Sequence, residues 1–333
     1  MSKYIVRRLV FLVITLIGVL TITFFLSRVL PGDPARLAAG TRAGPEQVEA
    51  LRRSLGLDRP LVEQYIRYIT SVLRGDLGMS IRTRRPVITD LKEYFPATVE
   101  LALFATLLCV LLGIPLGILS AVKQETLVDH TLRVAAVAAV SMPSFWLGLL
   151  LQLVFFRWLR ILPATGRISL GLRPTPITGM YILDSLITQN WAALGSSLKH
   201  LVLPAMALAA GSIAQISRMM RSSLLEVVSH DYVRTARAKG LKESTVILKH
   251  ALRNALLPTL TVIGLQIGVL LSGAVPVEVV FSWPGIGLYA VQSIVFVDFM
   301  AILGVTLLMT IVYTGMNLIV DILYGVLDPR VQY

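Results

Sequence analysis

Three observations predict that this chain is an all-α integral membrane protein with six transmembrane helices. The 333 residues are 55% hydrophobic and 15% charged, with a mean hydropathy of +0.75, which is far more apolar than a soluble domain. The apolar residues are grouped into six runs of about twenty residues, the length at which a helix crosses the hydrocarbon core of a bilayer. A polar segment, 218–253, separates two of these runs and carries eight Lys/Arg against three acids.

The predicted spans follow the apolar runs in chain order. The first run resembles a secretory signal peptide because Lys3, Arg7 and Arg8 precede it. It is too long for one, however, and it ends in Leu-Pro-Gly-Asp-Pro at 30–34 rather than at a small-residue cleavage site. It is therefore predicted to remain as the first span. The six predicted spans are 9–30, 98–122, 134–156, 201–219, 259–279 and 301–323.

Charges near the ends of the spans predict the orientation of the chain. The N-terminal cations and segment 218–253 are separated by an even number of spans, so both are predicted to be cytoplasmic. Residues 280–300 contain no Lys or Arg, which suits the external side. One loop, 157–199, does not fit, because it is placed outside although it is cationic. Its basic residues are Arg157, Arg160, Arg167, Arg173 and Lys199.

Two long loops lie between the spans. Residues 31–97 hold eleven Lys/Arg and eight acids in a mixed sequence, with amphipathic helices predicted over 46–57 and 61–73. The other loop, 157–199, is richer in Pro, Gly, Ser and Thr and is predicted to be irregular. The predicted organisation is an N-terminal tail and first span over 1–30, an external segment over 31–97, a core of spans two to six over 98–323, and a cytoplasmic tail over 324–333.

The polar segment 218–253 is predicted to form short amphipathic helices on the cytoplasmic face. Ser229 or Asp231 can cap a helix over 232–239, which Gly240 can end in a left-handed conformation. The next helix is expected over 244–257 and is expected to end at Pro258. Small residues at 235, 236 and 238 would let the short helix sit in the groove of a soluble partner, ringed by the charges at 234, 237 and 239. A basic loop that holds lipid headgroups is the alternative.

The chain lacks the motifs of several enzyme classes. No Gly-x-x-x-x-Gly-Lys-Ser/Thr loop is present, so the chain is not expected to bind and hydrolyse ATP by itself. His-Glu-x-x-His and Gly-x-Ser-x-Gly are also absent, and the four histidines are scattered, so no catalytic residue, metal site or bound cofactor is predicted. The middle of each predicted span lacks Asp, Glu, Lys and Arg, which argues against an ion-coupled carrier. Cys109, the single cysteine, is expected to be a small buried side chain.

Residues 231–241 (DYVRTARAKGL) and 250–258 (HALRNALLP) resemble the coupling loop of bacterial ATP-binding-cassette importer permeases, specifically of the dipeptide, oligopeptide and nickel group. The long segment after the first span is typical of the B-type permease of this group, and the likeness is closest to the dipeptide permeases of that type. Where the general loop begins Glu-Ala-Ala, this chain has Arg234, Thr235 and Ala236, a departure typical of the peptide group. Further matching segments lie at 30–34, 55–58, 75–78, 141–143, 278–287 and 328–330.

The resemblance implies a six-span permease of the type I importer fold in the bacterial or archaeal inner membrane, with both termini cytoplasmic. It implies a second homologous permease, two ATP-binding subunits that hold ATP and Mg²⁺, and an external solute-binding protein. No nucleic acid is expected as a partner. The external segment would help to receive the binding protein, unless it is a passive cap. The residues expected to dock on the ATPase are Asp231, Tyr232, Arg234, Thr235, Ala236, Arg237, Lys239, Gly240 and Leu241.

The substrate and the pore are less constrained by the resemblance. Di- or oligopeptides are the expected substrates, with nickel chelates, glutathione or oligosaccharides as alternatives in the same family. A channel or an ion-coupled carrier is the alternative of another class. Polar residues within the third and fifth spans are candidates for lining the pore, and close helix packing is the other explanation for them. These candidates are Ser141, Met142, Gln266 and Ser272.

Overall fold

The computed structural model describes residues 2–29, 35–36, 43–54, 56–272 and 274–327. This part of the chain is helical apart from turns, loops and one isolated antiparallel bridge between Met79 and Pro86, so the predicted all-α class is confirmed. The helices are α1 Ser2–Val29, α2 Pro45–Ser54, α3 Leu61–Leu73, α4 Val87–Val122, α5 Leu127–Ser141, α6 Ser144–Trp158, α7 Tyr181–Ile187, α8 Trp191–Val228, α9 Asp231–Ala238, α10 Glu243–Ser272, α11 Ala274–Val280, α12 Ile286–Val295 and α13 Phe299–Leu327. Gln152–Trp158 and Val246–Ala251 are π-helical turns within α6 and α10.

Four of the described helices are long and apolar enough to cross a membrane: α4, α8, α10 and the Phe299–Ile319 part of α13. The bent pair of α5 and α6 makes a fifth if it counts as one span. Predicted spans two, three, four and six lie on these helices, whereas predicted span five, 259–279, begins in α10 and ends in the separate helix α11. The predicted first span lies in α1, whose apolar part Val10–Phe25 is shorter than the other candidates. The number six therefore stays a prediction.

The third predicted span is not a single straight helix. It breaks between α5 and α6, which meet at an angle of 111°. Pro143 causes the break, because a proline disfavours the helical conformation in the residue before it. Met142 accordingly has an extended backbone, with φ −88° and ψ 129°.

Two other sequence predictions are wrong. Residues 157–199 are not irregular throughout, since they include α7 and the start of α8, where the Asn190 side chain accepts a hydrogen bond from the Ala193 N–H at 3.0 Å. Pro258 does not end a helix, because α10 continues through it to Ser272. The Thr259 hydroxyl donates to the Ala255 carbonyl at 3.3 Å, and hydroxyl groups of this kind help a membrane helix to tolerate proline.

The chain divides into two compact units. The first contains the described residues up to Pro96 together with Gly285–Gly315, and the second contains Ala97–Pro284 and the described residues from Met316 onwards. In the first unit, Val87, Leu91 and Tyr289 form a buried core with residues of α13. Asp90 is fully buried there, and the Tyr289 hydroxyl donates to it at 3.0 Å.

The helices predicted in the external segment are present in the first unit. Helix α3 has the predicted bounds, 61–73, whereas α2 ends at Ser54 rather than at 57. Gly56, just beyond α2, has φ +64°, a conformation that glycine adopts without strain. Some expected features lie outside the described residues: the 30–34 motif, Leu55 of the 55–58 segment, and residues 328–333.

Helices α4 and α8 approach each other closely in the second unit. A Cβ atom at Gly117 would lie 2.6 Å from both the Met220 Cβ and the Ser217 carbonyl oxygen, so the two helix backbones approach at a glycine, as is common between membrane helices. Cys109 is buried, with 1% of its surface exposed, as predicted. At one end of this helix pair, the fully buried Asp129 accepts hydrogen bonds from Ser120 at 2.5 Å and from Arg221 at 2.8 Å.

Candidate functional site

Helix α9 occupies the middle of the polar segment that the sequence singles out. It begins after His230, which has an extended backbone and makes no side-chain cap hydrogen bond. The predicted caps are therefore wrong: the Ser229 hydroxyl donates back to the Glu226 carbonyl at 2.7 Å, and Asp231 already lies in the first turn. In that turn its carboxylate still favours the helix, because it lies near the positive end of the helix dipole.

One face of α9 is buried against the rest of the second unit. Val233 is fully buried and Ala236 is 7% exposed. They pack into a cluster with Met220 and Leu224 of α8 and Val246 of α10. The spacing of three residues places both side chains on the same side of a helix. Apolar contacts therefore fix α9 to the ends of two long helices.

The other face of α9 and the following turn are exposed and rich in charge. Arg237 pairs with Glu243, with 2.7 Å between Nη2 and Oε1, and this hydrogen bond raises the pKa of Arg237 above its ordinary value. Asn254 of α10 donates a hydrogen bond to the Tyr232 hydroxyl at 2.8 Å. The exposed residues are Asp231, Tyr232, Arg234, Thr235, Arg237, Ala238, Lys239, Gly240 and Leu241.

Gly240 ends the helix in the left-handed conformation that the sequence predicts. Its φ is +77°, and its N–H donates to the Arg237 carbonyl at 2.9 Å. A Cβ atom at this position would meet no other atom within 4 Å. The requirement for glycine therefore comes from the backbone conformation and not from lack of space.

A second feature, a cavity of about 340 Å³, lies beside the break between α5 and α6. Met142 and Gln266 line it, together with Ser212 and Gln215 of α8. The Ser212 hydroxyl donates to the Gln266 Oε1 at 2.7 Å, and the Gln266 amide donates to Gln215. The cavity thus has a small hydrogen-bonded polar group among apolar walls.

Two family models match this chain along most of its length. One, described as the binding-protein-dependent transport system inner membrane component, matches residues 113–333, and the N-terminal model of the same transport components matches residues 1–102. The chain belongs to this family of binding-protein-dependent transport permeases. The permease is thus a component of a transport system and not a catalytic enzyme.

Individual relatives match the permease over nearly all of both chains. It is 49% identical to the probable D,D-dipeptide transport system permease protein DdpB of Escherichia coli, over 96% of this chain and 94% of the relative. It is 42% identical to the dipeptide transport system permease protein DppB of Alkalihalophilus pseudofirmus, and 38% identical to the glutathione transport system permease protein GsiC of Escherichia coli. Both of these alignments cover 100% of each chain.

The permease brings together some of the predicted site residues and separates others. Eight of the nine predicted docking residues are exposed on or beside α9, whereas Ala236 faces the interior of its own chain. Of the predicted pore residues, Met142 and Gln266 line one cavity, whereas Ser141 and Ser272 do not. The hydroxyls of these two serines donate to carbonyls of their own helices, those of Val137 and Gly268. The sequence reasoning missed Ser212 and Gln215, although both are polar residues within a predicted span.

Proposed function

We propose that this chain, with a second homologous permease, forms the pore of an ATP-driven importer of di- or oligopeptides. The observation that carries the proposal is full-length similarity to a permease named for dipeptide transport, at 42% identity. The more similar relative is also named for a dipeptide system, and glutathione, the substrate named for the third, is itself a small peptide. An external solute-binding protein would deliver the substrate.

The exposed face of α9 is proposed to dock on a cytoplasmic ATP-binding subunit and to transmit its motion. ATP and Mg²⁺ would be held by two such subunits, which close on each other when ATP binds. Because Val233 and Ala236 fix α9 to α8 and α10, a push on its exposed face would be carried to two long helices. The Arg237–Glu243 pair and the Tyr232–Asn254 hydrogen bond would keep α9 aligned with α10 during that motion.

The cavity beside Met142 is proposed to be part of the path of the substrate. Gln215 and Gln266 offer amide groups, which can donate and accept hydrogen bonds with the backbone of a peptide. The 111° break between α5 and α6 gives a place at which packed helices can change their arrangement during gating. Ser141 and Ser272 remain candidates only for a state in which their hydroxyls leave their own helices.

The proposed topology has six spans, with α1 as the first. Both termini and α9 would be cytoplasmic, and residues 31–97 would be external, where they receive the binding protein. The cations before the first span and on α9 support this orientation, because positive residues are retained on the cytoplasmic side.

Labelling of single cysteines should show this topology. In a Cys109→Ala background, we expect an impermeant thiol reagent on intact spheroplasts to modify Glu49→Cys and not Lys242→Cys, since both positions are exposed but lie on opposite sides. Permeabilised cells serve as the control, in which both variants should react. Reaction of Lys242→Cys in intact spheroplasts would contradict the proposed orientation.

Uptake by the reconstituted importer tests the proposed function. Proteoliposomes containing this permease, the second permease and the ATP-binding subunits should accumulate a labelled dipeptide only when ATP and the binding protein are both supplied. Unlabelled tripeptides should compete, whereas nickel chelates and oligosaccharides should not. Uptake driven by an ion gradient without ATP would instead indicate a carrier, and preferred competition by glutathione would place the chain with the glutathione systems.

A further inference from the structure

Four of the five cations in loop 157–199, the loop that does not fit the charge rule, have no ionic partner within the described part of the chain, and one of these four, Arg173, instead contacts an aromatic ring. Arg157, Arg160 and Lys199 form no ion pair there, and Arg157 and Arg160 are exposed. Other cations of the same loop are occupied: Arg167 is buried against Glu100 at 2.6 Å, and Arg173 lies over the ring of Tyr181. The unpaired cations are therefore free to bind an external anion.

Arg157, Arg160 and Lys199 line two cavities that have one lining residue, Pro163, in common. Arg157 and Arg160 line a cavity of about 530 Å³ with Phe156 and Pro163. Lys199 lines a cavity of about 370 Å³ that also includes Pro163. Neither lining contains an Asp or a Glu, so both cavities favour negative charge.

The neighbouring side chains are those of a membrane–water boundary. Trp158, at the end of α6, is 68% exposed, and Trp191, at the start of α8, is 66% exposed. Tryptophans of this kind prefer the headgroup level of a bilayer, where the ring contacts both apolar and polar groups. The cations also lie next to the apolar parts of their helices, since Phe156 precedes Arg157 and Leu201 follows closely after Lys199.

Hydrogen-bonding groups complete the second cavity. The Ser169 N–H donates to the Ser196 hydroxyl at 3.0 Å, and this hydroxyl donates to that of Ser169 at 3.0 Å. The Ser169 hydroxyl can still donate a hydrogen bond to a ligand. Both serines line the cavity beside Lys199.

We propose that these two cavities bind the phosphate headgroup of an anionic phospholipid. Arg157 and Arg160 contact the phosphate, and Lys199 with Ser169 contacts the polar end of the headgroup. The acyl chains lie along the exposed apolar side chains that precede Arg157, such as Phe156 and Leu153. Lipid binding at this site explains how the cationic loop 157–199 can lie on the external side of the membrane. The proposal depends neither on the identity of the substrate nor on coupling to ATP hydrolysis.

Native mass spectrometry of the purified transporter complex tests the proposal. After delipidation, the complex is titrated with dioleoylphosphatidylglycerol, and the fraction carrying lipid is compared between the wild type and Arg160→Gln. A basic residue near an anionic lipid surface strengthens binding about fivefold. We therefore expect about fivefold weaker binding for Arg160→Gln and about 25-fold weaker binding for the double variant Arg157→Gln/Arg160→Gln.

Arg84→Gln is the matched control. Arg84 is also an exposed arginine with a left-handed backbone, its φ being 54° against 57° for Arg160, so the two variants lose the same charge in the same conformation. Arg84→Gln should bind the lipid like the wild type, and Arg160→Lys should keep most of the affinity. Equal losses of lipid affinity in Arg84→Gln and Arg160→Gln would overturn the proposed lipid site.

The nature of the ligand is tested in parallel. Dioleoylphosphatidylcholine should bind much more weakly than the anionic lipid, and inorganic phosphate at the same concentration should not displace it. Displacement by inorganic phosphate would indicate a site for the free anion rather than for a lipid. Wild-type lipid binding by the double variant, with its thermal midpoint unchanged, would overturn the proposed site.

Discussion

Replacing Gly240 with Val is expected to uncouple ATP hydrolysis from transport. A non-glycine residue in the left-handed region costs about 1–2 kcal/mol, and a β-branched one costs more. Because Gly240 has φ +77° at the end of α9, the chain would relieve this strain by changing the turn and displacing the short helix. A strain of about 1.4 kcal/mol shifts the equilibrium between the docked and displaced positions of α9 about tenfold. In proteoliposomes with the partner subunits, we therefore expect substrate uptake per ATP hydrolysed to fall about tenfold or more.

The matched control is Gly240→Asn. Asparagine tolerates the left-handed conformation better than other non-glycine residues, and the added side chain meets nothing within 4 Å at its Cβ. Its uptake per ATP should therefore stay within about twofold of the wild type. Normal coupling in Gly240→Val, with normal amounts of inserted protein, would show that α9 is not the transmitting helix. Equal loss in both variants would point to a contact with the ATPase rather than to backbone strain.

Replacing Arg167 with Met is expected to destabilise the permease strongly. The guanidinium is 6% exposed, donates twice to Glu100 Oε2 at 2.6 and 2.8 Å, and lies 3.8 Å from the centre of the Tyr181 ring. When the Arg167 guanidinium is removed, the buried Glu100 carboxylate keeps a single hydrogen-bond donor in the described part of the chain, the Ile182 N–H at 2.7 Å. Breaking a buried pair on one side costs about 3–5 kcal/mol. The thermal midpoint of the purified complex should therefore fall. It is measured as the temperature at which heating removes half of the monodisperse complex.

The double variant Glu100→Gln/Arg167→Met separates charge from packing. With no carboxylate left unpaired, it should recover part of the lost stability, because the uncompensated charge is the larger penalty. Arg173→Met, which removes a cation from the same loop that is not hydrogen-bonded to Glu100, should change the midpoint little. If the double variant is as unstable as Arg167→Met, the loss comes from the contacts of the guanidinium with the Tyr181 ring, 3.8 Å away, and the Trp283 ring, 5.7 Å away, rather than from the charge.

Local features of this permease could be predicted well from the sequence. The bounds of α3 and the left-handed Gly240 depend on neighbouring residues, on apolar spacing and on the special backbone of glycine. The apolar runs likewise mark five of the long helical regions, because length and hydropathy are local properties. The bend at Pro143 was missed because proline is tolerated in some membrane helices, as Pro258 and Pro204 show in this chain.

Contacts between distant residues could not be predicted. Glu243 and Asn254 hold the exposed face of α9, and Ser212 approaches Gln266, yet no periodicity in one sequence indicates these pairs. The burial of Ala236 is visible only in retrospect, from its spacing with Val233. Arg167 looked like an exception to the charge rule, and only its contact with Glu100 explains why it is no longer available as a surface cation.

The buried Asp129 has a consequence for the order in which the chain is synthesised. Its hydrogen-bonding partners Ser120 and the Glu125 N–H leave the ribosome with it or before it, whereas Arg221 is made 92 residues later. Until that point the only cation beside the carboxylate is Arg133 of its own helix, 3.7 Å away, so α5 lacks the ion pair that fixes it beside α8. Ribosome-bound chains that stop before Arg221 should consequently hold α5 loosely, and release of the first five helices from the insertion machinery should wait for the end of α8.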